Sequence, residues 1–353
     1  MKVVFCWSGM SGYMAACWRA LAQTRGMDLS LLVLWWSMPW SDDTTNGLPD
    51  FRRINQEESL NSSLVERLVV ERNPDVVVIC GWAWPSFVRL PFSKRLRNVR
   101  FVMGIDTPWR GQWRQKLARL RIGRLVDRMD AVFVASERAW QYARHLGVPE
   151  AKIHRGVYGV DYAAFRPACD QRLALEGGWP QRFLFVGRYD DEKGIDVLLE
   201  SYKRYCSMVS NPWPLTCCGS GPWAERIAQA EGVQDLGFVQ PADLTAVFAK
   251  HGVFVLASRY EPWGVVIAEA AAAGLPVICT ESCGASIDLV RSLYNGMTVA
   301  TGDTHGLARA MLWMHENHAR LPEMGLRSQQ RASAYSAEVW AERWAYVFQD
   351  LCS

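Results

Sequence analysis

Apolar residues along the chain fall into two series of short continuous runs, separated by stretches of helical spacing. In the first series, strand-length runs occupy residues 3–7, 29–36, 75–80, 100–105 and 131–135. Between them, residues 59–72 and 112–127 follow a helical period. A run that is apolar at successive positions fits a strand covered on both faces. Strands alternating with helices predict a parallel sheet with helices on each side. Asn73-Pro74 suits the end of a helix just ahead of the third run.

The second series predicts strands at 183–187, 214–218, 234–239, 253–257 and 276–280. Helices are predicted at 195–207, 223–231, 242–250 and 264–273. Residues 166–180 lack periodicity and hold Pro167, Gly177, Gly178 and Pro180, so they read as a linker. An amphipathic helix is predicted over 337–351. The expected organisation is an α/β domain over residues 1–165, the linker 166–180, a second α/β domain over 181–335 and a terminal helical segment over 336–353. Open α/β domains take ligands at the carboxyl ends of their strands, often in a cleft between domains. The pattern alone does not name the ligand.

Composition narrows the class. A chain of 353 residues suits two domains, and half of its residues are hydrophobic, which excludes a disordered protein. Tryptophan is abundant, and many of the 17 lie in the first half: Trp35, Trp36, Trp40, Trp82, Trp84, Trp109 and Trp113. Most are expected in the core, with some lining an acceptor groove. The ten cysteines are irregularly spaced, several within strand-like runs, and read as reduced thiols of a cytosolic protein. None has metal-site or redox spacing. Residues 1–7 are apolar but too short for a signal peptide, and no run reaches the ~20 residues of a membrane span. The chain is therefore expected to be cytoplasmic, soluble or peripheral on the inner face of the membrane.

Charge changes the picture locally. Between Arg89 and Arg128 there are twelve Lys or Arg against two Asp, a net +10 in a chain whose total is +3. The segment from Gln112 to Asp127 reads as a basic amphipathic helix, with Leu117, Leu120 and Leu125 on or near one face. Such a helix either lies on an anionic membrane or packs as an ordinary surface helix. No nucleic-acid motif accompanies the charge, so nucleic acid is not an expected partner.

Three segments carry candidate chemistry. In the first, Arg259-Tyr260-Glu261-Pro262-Trp263-Gly264-Val265-Val266 leads into a helix holding Glu269. The first-turn N–H groups of that helix, near Gly264, Val265 and Val266, can hold a phosphate. Glu261 can accept hydrogen bonds from sugar hydroxyls and Glu269 from a ribose diol. The second segment is Gly187-Arg188-Tyr189-Asp190-Asp191-Glu192-Lys193-Gly194, where Arg188 and Lys193 can pair with a diphosphate. The third is Cys218-Gly219-Ser220-Gly221-Pro222, where Gly219 and Gly221 let backbone approach a nucleotide or simply make a tight loop.

In this order and spacing, the three segments resemble the donor domain of the retaining glycosyltransferases of family 4. The resemblance runs from about Phe183 to Asp303 and extends more weakly to the segment from Val157 to Pro167. It implies the GT-B fold: two Rossmann-like domains facing across a cleft, with the C-terminal helix crossing back to the N-terminal domain. It implies that Glu261 and Glu269 bind donor sugar and ribose, and that Arg188 and Lys193 bind the diphosphate. The activity implied is transfer of a sugar from a UDP- or GDP-linked donor to a glycan or lipid-linked acceptor, with retention, in polysaccharide assembly.

Two departures from the family pattern stand out. The usual glycine-rich turn after the first strand is here Ser8-Gly9-Met10-Ser11-Gly12, leaving Gly12 as the residue to approach donor or acceptor. The usual His after a middle strand is absent, and Asp106 is the candidate occupant of its place, or else caps the turn before Pro108. No Asp-x-Asp motif is present, so no metal and no cofactor beyond the donor is expected. The alternatives are another GT-B sugar-nucleotide enzyme, such as an epimerase or hydrolase, and a non-catalytic sugar-nucleotide-binding protein.

Overall fold

The computed structural model of the chain describes residues 1–34 and 45–353. Trp35, Trp36 and Trp40, with the last two positions of the run 29–36, lie outside the described residues. The chain divides into two compact units, Met1–Gly159 with Ala337–Ser353, and Val160–Ser336.

Among the described residues the first unit holds seven strands: β1 (Lys2–Trp7), β2 (Asp28–Leu34), β3 (Phe51–Ile54), β4 (Val76–Cys80), β5 (Arg100–Ile105), β6 (Ala131–Val134) and β7 (Ile153–Arg155). They form one parallel sheet in the order β3-β2-β1-β4-β5-β6-β7. The second unit holds β8 (Phe183–Val186), β9 (Leu215–Cys218), β10 (Val233–Asp235), β11 (Val253–Leu256), β12 (Val277–Thr280) and β13 (Gly296–Val299). These are also parallel, in the order β10-β9-β8-β11-β12-β13. In both sheets the order reverses beside the first strand, between β1 and β4 and between β8 and β11. Loops leaving the carboxyl ends of strands at such a reversal splay apart and open a crevice.

The central strands are buried along nearly their whole length, as continuous apolar runs require. The three strands that apolar pattern does not reveal, β3, β7 and β13, lie on sheet edges. An edge strand has one open side, so its sequence mixes polar and apolar residues, as in Phe51-Arg52-Arg53-Ile54.

Residues 166–180, expected as a linker, instead begin with the helix Pro167–Leu173, which belongs to the second unit. Its Arg172 is buried and hydrogen-bonded to four backbone carbonyls of that unit. The first unit ends at Gly159, ahead of the expected boundary, because Val160 already donates its N–H to Tyr335 of the second unit.

The terminal helix Ala337–Cys352 packs in the first unit against the helix Gly12–Gln23. Trp340 and Trp344 explain why. Their indole N–H groups donate to the carbonyls of Val157 (2.9 Å) and Gly156 (2.8 Å). Trp344 also stacks on Phe133 at 3.8 Å. The rings thus bury large apolar area while satisfying their one polar atom.

The basic segment departs from expectation. It is not one helix but two, Trp113–Lys116 and Ala118–Asp127, with a break at Leu117. Leu125 and Val126 are buried, whereas Leu117 and Leu120 point outward.

Candidate active site

Residues proposed for donor chemistry meet at the β8/β11 reversal. After β8 the chain passes through Gly187, Arg188 and buried Tyr189 into a short turn, Asp191–Lys193. Asp190 caps that turn by accepting the Lys193 N–H at 3.0 Å. After β11, Ser258 to Gly264 lead into the helix Val265–Ala272. The Lys193 ammonium forms an ion pair with Oε2 of Glu261, and both side chains are largely buried. Such a pair has a low-dielectric setting, so each partner strongly orients the other.

The two loops are fastened behind this pair. Arg259 makes a two-pronged contact with Asp196, with Nη1 to Oδ1 at 2.6 Å. Its backbone N–H also donates to the Glu192 carbonyl at 2.8 Å. The guanidinium pulls the Asp196 carboxyl below its ordinary range, and the carboxylate raises Arg259 in return. Sequence reasoning missed this clamp, although Arg259 stands two residues before Glu261.

Arg188 is placed differently from Lys193. Its side chain is mostly exposed and forks between Asp190 (3.0 Å) and Glu192 (2.9 Å). Asp191 accepts from the Trp223 indole at 2.8 Å. The acidic triplet Asp190-Asp191-Glu192 is therefore occupied by donors of the chain itself. Among the described residues, no three His, Cys, Asp or Glu side chains gather where they could hold an ion.

The glycine-rich loop after β9 has a structural reason for its glycines. A Cβ on Gly219 would lie 1.9 Å from the Gly187 carbonyl oxygen, and one on Gly221 would lie 2.5 Å from that of Tyr189. The tight-loop reading is thus sufficient for both. The loop is bound to the β8 loop by Tyr189 N–H donating to Ser220 O at 2.8 Å. The hydroxyl of Tyr189 donates to Asp235 at 2.7 Å.

Gly264 adopts a left-handed conformation (φ 95°) and begins the helix without a side-chain cap. A Cβ there would sit 2.9 Å from Cγ of Glu261, so glycine is needed to let the Glu261 side chain pass. Val265 and Val266, both half-buried, supply the first turn. Glu269 is half-buried, about a turn and a half into the helix. Burial raises its carboxyl to about 7, and the like charge of Asp161 adds to the effect.

In the first unit a cavity of about 180 Å³ opens at the β1/β4 reversal, bordered by Trp7, Trp82, Trp84, Asp106 and Tyr158. Asp106 follows β5 and accepts from the Tyr158 hydroxyl at 2.9 Å. Burial, with the nearby Asp106 charge, pushes the Tyr158 phenol well up, so it stays a donor. Tyr158 lies within the segment that carries the weaker resemblance, but its identity there gave no hint of this role. Gly12 is the first residue of the helix Gly12–Gln23, whose cap is Ser11, with its hydroxyl accepting from Met14 N–H at 3.4 Å.

Two Rossmann-like units with these sheet orders form the GT-B fold class of glycosyltransferases. Residues 180–317 match the family Glycosyl transferases group 1. Residues 8–157 match the Glycosyl transferase 4-like domain. The chain thus carries a Glycosyl transferase 4-like domain within its first unit and a Glycosyl transferases group 1 domain within its second. A phosphatidyl-myo-inositol mannosyltransferase of Propionibacterium freudenreichii is 29% identical over 54% of this chain and 48% of its own length. The lipopolysaccharide core biosynthesis mannosyltransferase LpsB of Rhizobium meliloti is 28% identical over 64% of this chain and 67% of its own length. The chain matches only about a quarter of an exopolysaccharide phosphotransferase of Streptomyces coelicolor (24%) and about half of the Propionibacterium enzyme (48%). In fold, the crystal structure of Anabaena HepE in complex with UDP superposes with a TM-score of 0.75 at 18% identity, covering 99% of this chain and 100% of that one. Among the described residues no helix is long and apolar enough to cross a membrane.

Proposed function

We propose that this protein transfers a sugar from a UDP- or GDP-linked donor to a glycan or lipid-linked acceptor, with retention and without a metal. The observation that carries the reading is the buried Lys193–Glu261 pair beside the uncapped start of the helix Val265–Ala272. An ammonium has three donors, so Lys193 can keep Glu261 and still reach a phosphate oxygen. Glu261 keeps Oε1 for hydroxyls of the donor sugar. Lys193, Arg188 and the N–H groups of Val265 and Val266 would neutralise the departing diphosphate. Such charge stabilisation in a preorganised site is the main lever on this kind of barrier. Asp106, held by Tyr158, would contact donor or acceptor hydroxyls. Gly187 and Gly12 would border the donor and the acceptor side. Retention rests on the family, with attack on the leaving-group face and a phosphate oxygen taking the acceptor proton. The relatives named as mannosyltransferases, and the HepE structure with UDP, support a sugar-nucleotide donor.

The test is a binding and turnover panel. Sugar nucleotides with uracil, guanine or adenine bases should differ, one base raising the melting temperature well above the others. Product with that donor should form only when an acceptor is supplied. Steady release of free sugar or an epimer without acceptor would replace transfer with hydrolysis or epimerisation. A folded protein that responds to none of the bases would remove the donor reading.

Glu269 gives this site a pH signature. A ribose diol donates to a carboxylate, so donor binding favours the ionised form. With the carboxyl at about 7, the protein must release a proton to bind at lower pH. The diphosphate of a sugar nucleotide is a diester and does not titrate in this range. Affinity should therefore rise about tenfold from about pH 6 to pH 8, and Glu269→Gln should flatten the profile. Stability runs the other way. A carboxyl raised in the folded state is stabilising while protonated, and that contribution is lost as pH rises towards and through about 7. Glu269→Gln should then melt higher than wild type near pH 8. A flat wild-type affinity profile would remove Glu269 from the ribose.

A further inference from the structure

The basic segment of the first unit carries an apolar stripe that the rest of that unit does not cover. Trp113 is 67% exposed, Leu117 52% and Leu120 85%. Their spacing of four and then three residues puts them on one side of the helical path. The break at Leu117 does not interrupt that path, because Leu117 N–H donates to Trp113 O at 3.2 Å and Leu120 N–H to Leu117 O at 3.0 Å. The opposite side is anchored, since Leu125 and Val126 are buried in the unit's core. Exposed large apolar groups at regular helical spacing, on an element otherwise docked, mark a contact surface.

Charge says what the surface meets. Arg114, Lys116, Arg121 and Arg124 are all exposed on the same two helices. Arg114 lies over the Trp113 ring at 5.4 Å, and Arg124 lies 6.0 Å from the ring of Phe92, which is itself 46% exposed. Cations are thus interleaved with rings and leucines. Arg119 is not part of the set, because it is turned inward to Asp127 and the Leu146 carbonyl. A folded protein partner would match such a surface with carboxylates around an apolar pocket. A bilayer matches it more simply, with anionic headgroups at the level of the cations and acyl chains beneath the rings.

We propose that the surface from Trp113 to Arg124 seats the first unit on an anionic lipid bilayer, with Trp113, Leu117 and Leu120 entering the headgroup boundary. This goes beyond the donor reading and does not depend on it. The geometry also explains a sequence pattern that would otherwise be wasteful. Had the segment served only as a covering helix, Leu117 and Leu120 would face the sheet.

The experiment is co-flotation of the full chain with vesicles of phosphatidylcholine alone or with about one third phosphatidylglycerol. The expected result is binding to the anionic vesicles and weak or no binding to the neutral ones. A charge-reversed variant, Arg114→Glu with Lys116→Glu and Arg121→Glu, should bind at least tenfold more weakly. Leu120→Ser and Trp113→Ser should weaken binding at unchanged net charge, which separates insertion from simple attraction. All five substituted positions are exposed, and an unchanged melting temperature confirms that each variant is folded. Failure of the wild type to float with anionic vesicles overturns the proposal. So does full binding by the Leu120 and Trp113 variants, or capture by a soluble polyanion such as heparin with no vesicle binding. Loss of transfer activity with intact flotation would strike the donor reading instead.

Discussion

Replacing Lys193 by alanine should lower transfer at least a hundredfold and also weaken the fold. The two effects have separate causes. Lys193 is the ammonium placed against Glu261 at the β8/β11 reversal, and one preorganised charge on a leaving diphosphate is worth about a hundred- to a thousandfold in rate. Its removal also leaves Glu261 as a largely buried carboxylate without a counter-charge, at a cost of about 3 kcal/mol. Glu261→Gln should give a similar rate loss with a smaller stability loss, since the amide oxygen still accepts from the Lys193 ammonium that is left as the lone charge. The double variant Lys193→Met with Glu261→Gln separates a structural pair from a functional one. Its stability should return close to wild type, because no lone charge remains, while transfer stays lost. Equilibrium unfolding and initial rates, measured on wild type, Lys193→Met, Glu261→Gln and the double variant, close a double-mutant cycle. Near-wild-type turnover in Lys193→Ala, or recovery of turnover in the double variant, would remove this pair from the proposed mechanism.

Much of this arrangement was legible in the sequence, for a physical reason. Buried parallel strands must be apolar at successive positions, so β1, β4, β5, β8, β9, β11 and β12 stand out. Edge strands are held to no such rule, and β3, β7 and β13 left no comparable trace. The ion pair itself was not foreseen. In the sequence Lys193 and Glu261 present themselves as separate ligand contacts, since they stand 68 positions apart and only the strand order brings their loops together. The glycines of the β9 loop were read as serving a ligand or a tight loop. Their neighbours turn out to be the Gly187 and Tyr189 carbonyls, a contact that no local pattern encodes. The proposed linker shows the converse error. Pro167 looked like a break, yet proline is tolerated in the first turn of a helix, which is where it sits. In the basic segment, helical spacing was visible, but spacing cannot tell which side of a helix the sheet will cover. Leu125 went inward and Leu120 outward.

Arg172 gives the second large expected effect, and it lies in that former linker. Its guanidinium is 1% exposed and has no carboxylate partner in its hydrogen-bond set. Four carbonyls take the place of one: Phe248 at 2.6 Å, His251 at 2.7 Å, Ala273 at 3.0 Å and Gly274 at 3.1 Å. These lie at or just past the ends of the helices Pro241–Ala249 and Val265–Ala272, where the last carbonyls lack partners and the helix dipole is negative. The ring of Trp179, 4.8 Å away, covers the cation from one side. Burial draws Arg172 down to about 10, still well above neutral pH, so the charge persists where the protein works. Arg172→Met keeps the stem and deletes five donors. It should cost about 4 kcal/mol, because each buried carbonyl left without a donor costs about 1–3 kcal/mol and some relaxation follows. For a unit of this size that is a fall in melting temperature of roughly 10 °C. Arg172→Lys should fall between the two, since one ammonium cannot span four carbonyls of two helices. The effect should reach function. The helix that Arg172 holds at its C-terminal end is the one whose first turn and Glu269 are proposed to grip the donor. Donor affinity in Arg172→Met should therefore weaken at temperatures where the protein is still folded. Thermal unfolding and sugar-nucleotide titration of the two variants test both parts. A loss of stability below about 1 kcal/mol in Arg172→Met would mean that water or a rearranged helix end satisfies these carbonyls. The former linker would then be a covering segment and not the clamp that ties the two helices together.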